Sequence, residues 1–186
     1  MASESDAAAA VELRSDRLRL RALVAADAPF ILELVNEPSW LRFIGDRGVR
    51  NLDDARAYIA NGPQASYARH GFGLYLVERT ADAESLGLCG LLKRDALEAA
   101  DIGFAFSPRH WGQGYAGEAA RAVLADARER LGLARVLAIT NPDNVASIGL
   151  LEKIGFRFQH LFRLPGEQTE VKLFELAFPL SPGGRR

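Results

Sequence analysis

The chain has 186 residues, 48% of them hydrophobic, with 23 Lys and Arg against 24 Asp and Glu and a formal charge of −1. That length suits one domain with a sizeable core, and the balanced charge provides no global attraction to nucleic acid or to an anionic membrane surface. The single cysteine, Cys89, excludes an internal disulfide and reads as a buried small hydrophobe, while His70, His110 and His160, without C-x-x-C or H-E-x-x-H spacing, give no metal site.

Residues 1–12 are small and acidic without periodicity, and are expected to be disordered. No run approaches the ~18 apolar residues of a membrane span, so the chain reads as cytoplasmic. Arg17–Arg21 alternates at period two, which predicts a half-buried strand with a basic outer face. Asp27 is placed to cap a helix with Phe30, Ile31, Leu34 and Val35 as its apolar stripe; Pro29 is tolerated in its first turn and Pro38 ends it. Asn51, followed by Asp53 and Asp54, opens another helix, which Asn61-Gly62-Pro63 breaks or kinks. Three strands then follow, Gly73–Glu78, Ser85–Leu92 and Ala99–Phe106, and their short connections predict an antiparallel meander.

The next stretch, W-G-Q-G-Y-A-G-E-A-A-R from Trp111 to Arg121, joins that last strand to an alanine-rich helix over Tyr115–Arg130. Gly112, Gly114 and Gly117 remove side chains where the backbone needs positive φ or a close approach, and the helix begins with unpaired N–H groups. Such a loop can hold an anion, most naturally a phosphate, and it can equally be an ordinary tight turn. It lacks the Lys-Ser or Lys-Thr of a P-loop and the spacing of a dinucleotide fingerprint. Gly132 stops the helix, Arg135–Thr140 is a compact strand, and Asn144–Lys153 is a helix capped by Asn144 and ended at Gly155. Strands Phe156–Leu164 and Thr169–Phe178 complete a single mixed α/β domain over residues 13–180, with a loose tail at 181–186.

W-G-Q-G-Y-A-G-E-A resembles the pyrophosphate loop of the GNAT superfamily of N-acetyltransferases, in the W-G-x-G-Y-A-x-E-A form of its RimJ/RimL branch of ribosomal-protein N-terminal acetyltransferases. Trp111 stands where the general loop carries Arg or Gln. A second segment, Asn144 to Phe156, resembles the family's N-x-x-A/S-x-x-L-Y-E-K-L-G-F, and the order of elements from Leu18 to Phe178 is similar too. The resemblance implies a GNAT fold, a mixed and mostly antiparallel sheet of about six to seven strands flanked by about four helices. It also implies acetyl-CoA as co-substrate, no metal, and direct transfer to a primary amine in a ternary complex.

On the same resemblance the pyrophosphate rests on the backbone of Gly112, Gln113, Gly114, Tyr115 and Ala116, beside Trp111. The strand end at Phe104 and Phe106 pairs with pantetheine, the Phe106 N–H polarises the acetyl oxygen, and Asn144 orients the pantetheine arm. Asp101 matches the carboxylate many relatives carry on this strand and is the expected base; Glu118 is the alternative, although the helix dipole already explains an acid there. Leu151 occupies the position where many members have a thiolate-protonating Tyr, so Ser147, one turn earlier on the same face, is expected to take the thiol-side role. The branch implies a protein N-terminal amine as acceptor. A small amine (amino acid, polyamine or aminoglycoside) is the alternative, and a non-catalytic CoA-binding or interaction domain a second. No nucleic-acid or membrane partner is expected, and monomer and homodimer both remain open.

Overall fold

Strands β1 (Leu13–Arg14), β2 (Leu18–Ala22), β3 (Leu74–Arg79), β4 (Ser85–Leu92), β5 (Asp101–Phe106), β6 (Arg135–Thr140), β7 (Arg157–Arg163) and β8 (Glu170–Ala177) form one sheet in the computed structural model, which describes residues 11–179. The strand order is β1-β2-β3-β4-β5-β6-β8-β7, and every neighbouring pair is antiparallel except β5 with β6. Six α-helices flank the sheet among the described residues: α1 (Ala28–Leu34), α2 (Pro38–Phe43), α3 (Leu52–Ile59), α4 (Ala65–His70), α5 (Tyr115–Glu129) and α6 (Val145–Lys153). The tail at 181–186, and all of the segment expected to be disordered except residues 11 and 12, lie outside the described residues.

Alternating side chains divide the core between the two faces of the sheet. Leu76, Leu88 and Ala105 pack with Ile31, Trp40 and Ile59 of α1–α3. Leu20, Val77, Ile102 and Phe106 pack instead against Ala119, Ala120, Val123 and Ala127 of α5 and Leu151 of α6. Four small or β-branched residues on one α5 stripe let that helix lie close to the sheet, and the buried Tyr115 and Leu124 add to the apolar area it hides.

Three expectations need correction. Asp27 makes no side-chain cap on α1. Its carboxylate instead accepts the Val24 N–H at 2.8 Å and both Arg21 terminal nitrogens at 2.9 and 2.8 Å, fixing the turn that enters the helix. Pro38 begins a helix, for at the first position of α2 its missing N–H costs nothing and its φ is already helical. Asn61-Gly62-Pro63 lies in a π-helical turn, Ala60–Gln64, whose wider ring accommodates the proline and carries α3 into α4. Helices α2 and α4, with the two-residue strand β1, account for the counts above those expected.

Candidate active site

The parallel pair β5/β6 meets at one register point, Asp101 opposite Leu137, where the Leu137 N–H donates to the Ala100 carbonyl at 2.9 Å. No further pairing follows, so the strands part and leave a cleft between them. The hydrogen-bond phase fixes which backbone groups face it. Ser107 N–H donates to Leu86 O, so in the antiparallel ladder the residues paired to β4 are Ser107, Ala105 and Gly103. Phe104 and Phe106 therefore turn their N–H groups away from β4 toward the gap. By the same alternation, set by Phe178 N–H to Ala134 O, Ile139 presents its backbone from the β6 side.

At the wide end of the gap stands the glycine loop. Gly112 and Gly114 have φ of +73° and +81°, a region that L side chains rarely adopt. None of the amides from Gly112 to Gly117 donates to a backbone carbonyl of a described residue, which leaves a row of free N–H groups at the start of a 15-residue helix. Gly117 serves another purpose: a Cβ there would lie 3.3 Å from Leu150 Cδ1, so its absence sets the approach of α6 to α5. Trp111 is 55% exposed, yet its indole N–H donates to Phe106 O at 2.8 Å and ties the loop to the end of β5.

Asp101 sits where the strands join. Its side chain is on the α1–α4 face and only 1% exposed, and Arg94 Nε lies 3.0 and 3.2 Å from its two oxygens. Burial pushes the carboxyl up to about 6, with the Arg94 guanidinium pulling it back down. On the other side α6 contributes Ser147 and Leu151, one turn apart. Asn144 Oδ1 accepts the Ser147 N–H at 3.2 Å and so caps this helix, while its amide N–H donors remain for other partners.

One cleft of about 1140 Å³ is lined by Asp101, Phe104, Phe106, Trp111, Gly112, Gly114, Tyr115, Ala116, Asn144 and Ser147. Gln113 is the residue of the expected set that is not on its wall; its carbonyl accepts Arg17 Nη1 at 3.0 Å. Glu118 also faces elsewhere. It accepts the Ser15 hydroxyl at 2.6 Å and the Arg17 N–H and Nε at 2.8 and 2.7 Å. Partial burial raises its affinity for a proton, but these hydrogen bonds outweigh that and hold the carboxyl below its ordinary value.

The sequence matches the acetyltransferase (GNAT) domain family over residues 17–157, well over half of the chain. The chain belongs to the GNAT acetyltransferases. YkkB, an uncharacterised protein of Bacillus subtilis (strain 168), is 32% identical over 158 residues, covering 83% of this chain and 90% of that protein. The crystal structure of an acetyltransferase from Agrobacterium tumefaciens superposes with a TM-score of 0.77 at 25% identity, over 90% of this chain and 95% of that one. A similar fold, with a TM-score of 0.77 at 20% identity over 90% and 98% of the two chains, is found in RimL, a ribosomal L7/L12 alpha-N-protein acetyltransferase solved in complex with coenzyme A. The mixed eight-stranded sheet is thus a GNAT sheet, and the enzyme class is N-acetyltransferase.

Two parts of this GNAT site were missed in the sequence, one of them without any signal. Arg17 braces the loop from β2, with its guanidinium carbon 4.5 Å from the Tyr115 ring centroid and its Nη2 3.4 Å from where a Gly114 Cβ would be. It supplies a cation beside the loop, where Trp111 replaces the basic or amide residue of the general motif. Arg94 had a readable cue: a buried carboxylate at Asp101 requires a counterion, and the hairpin register, with Leu92 opposite Asp101, brings the following Lys93 and Arg94 to its side. Among the described residues no group of three or more His, Cys, Asp or Glu is arranged to hold a metal ion, and no helix is long and apolar enough to cross a membrane.

Proposed function

We propose that this protein is an acetyl-CoA-dependent N-acetyltransferase of the RimJ/RimL branch, formed by one domain over residues 13–180, which acetylates a primary amine by direct attack in a ternary complex. The acceptor is a protein N-terminal amine, a choice supported by the branch form of the loop, W-G-Q-G-Y-A-G-E-A, and by the likeness to the RimL fold. The observation that carries the reading is the unpaired edge of β5, whose Phe104 and Phe106 N–H groups open onto the same cleft as the free amides of the glycine loop. An extended, amide-bearing arm ending in a pyrophosphate fits both. The arm adds to β5 as a strand would, and the anion meets the α5 N-terminus. The cleft volume, about 1140 Å³, exceeds the roughly 300–1,000 Å³ of a site for one drug-sized ligand, which suits a donor and an acceptor meeting end to end.

Acetyl-CoA supplies the acetyl thioester that an amine attacks. The Phe106 N–H, held by the Trp111–Phe106 bond, is the donor for the oxygen on which charge develops. Asp101 accepts the proton the amine must lose; with its carboxyl pushed up to about 6 by burial, it lies nearer the ideal for a base working near neutrality than an ordinary carboxylate does. Ser147 passes a proton to the departing sulfur and regains one from solvent, a task Leu151 cannot perform. Glu118, turned from the cleft onto Ser15 and Arg17, holds the loop in place.

Thermal unfolding with and without acetyl-CoA tests the binding half: a hundredfold excess over Kd should stabilise the fold by about 2.7 kcal/mol. Thiol release across a panel of peptide N-termini tests the transfer half. No thermal shift would dismiss the reading outright, and a shift without thiol release would leave a coenzyme A-binding protein that is not an enzyme.

A further inference from the structure

The cleft continues past Asp101 along one face of the helix that runs from α3 through the π turn into α4. Tyr58, Gly62, Ser66 and Arg69 follow one another on that face at helical spacing, and all line the cleft. Arg47, from the segment between α2 and α3, lines it too and lies near enough to Tyr58 to act on its phenol. The other cations of this wall have partners. Arg42 pairs with Asp143 at 3.0 Å, Arg94 with Asp101, and Lys93 Nζ donates to the carbonyls of Arg94 and Leu97. Arg47 and Arg69 have no carboxylate within 4.0 Å among the described residues, whereas 12 other arginines do.

Two unpaired guanidiniums on the cleft wall favour an anionic group on the molecule that enters it. Glu37 and Glu167, also on the cleft wall, are suited to receive an ammonium. We infer that Arg47 and Arg69 make the acceptor half of the cleft a carboxylate-binding surface, and that the acceptor carries a carboxylate close to its reacting amine. Such a molecule is a free amino acid or a peptide with an acidic first residue; a polyamine or an aminoglycoside is not. The inference rests on the acetyltransferase reading above: an acidic first residue narrows its protein N-terminal acceptor, and a free amino acid would replace it.

The test uses the full chain saturated with coenzyme A, and measures acceptor binding by calorimetry so that turnover is not required. Two matched pairs serve as probes: leucine against leucinamide, and Asp-Ala-Ala-amide against Asn-Ala-Ala-amide. The carboxylate-bearing member of at least one pair should bind about tenfold tighter or more, as a charge-assisted contact implies, and the pair that discriminates identifies the source of the carboxylate. Arg47→Gln and Arg69→Gln should each narrow that ratio and together remove it, while coenzyme A affinity is retained. A ratio near one in both pairs, or a ratio that survives the double substitution, would overturn the inference. Thiol release from acetyl-CoA with the same probes separates the two readings. Equal release from both members of each pair leaves the transferase standing and removes the carboxylate site. Discriminating binding without release keeps the site and removes the transferase.

Discussion

Replacing Asp101 with Asn should remove the acidic limb of the pH–rate profile. The carboxyl is pushed up to about 6 because burial at the junction of β5 and β6 favours its neutral form more than Arg94 favours the charged one. Below that pH the group is protonated and cannot accept a proton, so log kcat/KM should fall by about one extra unit per pH unit below about 6, whichever protonation state of the amine binds. Asn accepts no proton at any pH. The variant should lose that extra slope and run roughly 10²–10⁴-fold below the parent in kcat at neutral pH, with acetyl-CoA affinity little changed. Arg94→Met removes the attraction that opposes burial, so in that variant the limb should move up by roughly a unit or more. The same shift acts on stability. Because the folded-state pKa lies above the unfolded one, the fold holds this proton more tightly, and stability should decline as pH rises from about 4 to about 6, by on the order of 2–3 kcal/mol. Asp101→Asn should lack that decline in thermal unfolding. Thiol release measured from pH 5 to about 8.5 decides the matter: an unchanged limb in the Asn variant, or kcat within a few-fold of the parent, refutes the assignment.

Gly114→Val places a β-branched side chain at a φ of +81° and 3.4 Å from Arg17 Nη2, so a folded variant should show no stabilisation by acetyl-CoA; unchanged affinity would show the loop to be a plain turn. Glu118→Gln weakens the hold on Ser15 and Arg17, and should lower both Tm and acetyl-CoA affinity while leaving the acidic limb in place; loss of the limb would make Glu118 the base. Ser147→Ala should lower kcat and kcat/KM together by ~10-fold or more at constant coenzyme A affinity, and adding Leu151→Tyr should recover part of the loss. Unchanged kcat, where chemistry limits the rate, would exclude the serine.

Periodicity and punctuation made most of the fold legible. The strand at Ser85–Leu92 and the Asn51 cap on α3 are where the sequence placed them, and Gly132 and Gly155 end their helices at φ of +63° and +103°. What escaped was local chemistry that depends on geometry several residues away. Asp27 has the composition of a cap, yet Arg21 and the Val24 N–H claim its carboxylate. Proline at 38 and 63 was read as an interruption; one is accommodated at a helix start and the other in a π turn. In the site, the glycine loop could be read because its function lies in backbone conformation, which glycine spacing encodes. The brace from Arg17 joins residues about a hundred positions apart, which only the folded sheet brings together, and Arg47 and Arg69 reach the cleft from a loop and a helix with no motif to mark them.

Direct acetyl transfer to an amine is the central claim, and a single-turnover reaction with acetyl-labelled acetyl-CoA tests it most directly. The full chain, labelled donor and an acceptor peptide are mixed, quenched at intervals, and the label is followed in the protein and in the peptide. Label should appear on the acceptor amine in step with free thiol, with none on the protein at any time. Label held on the protein before it reaches the acceptor, or thiol released without acetylated amine, would contradict it.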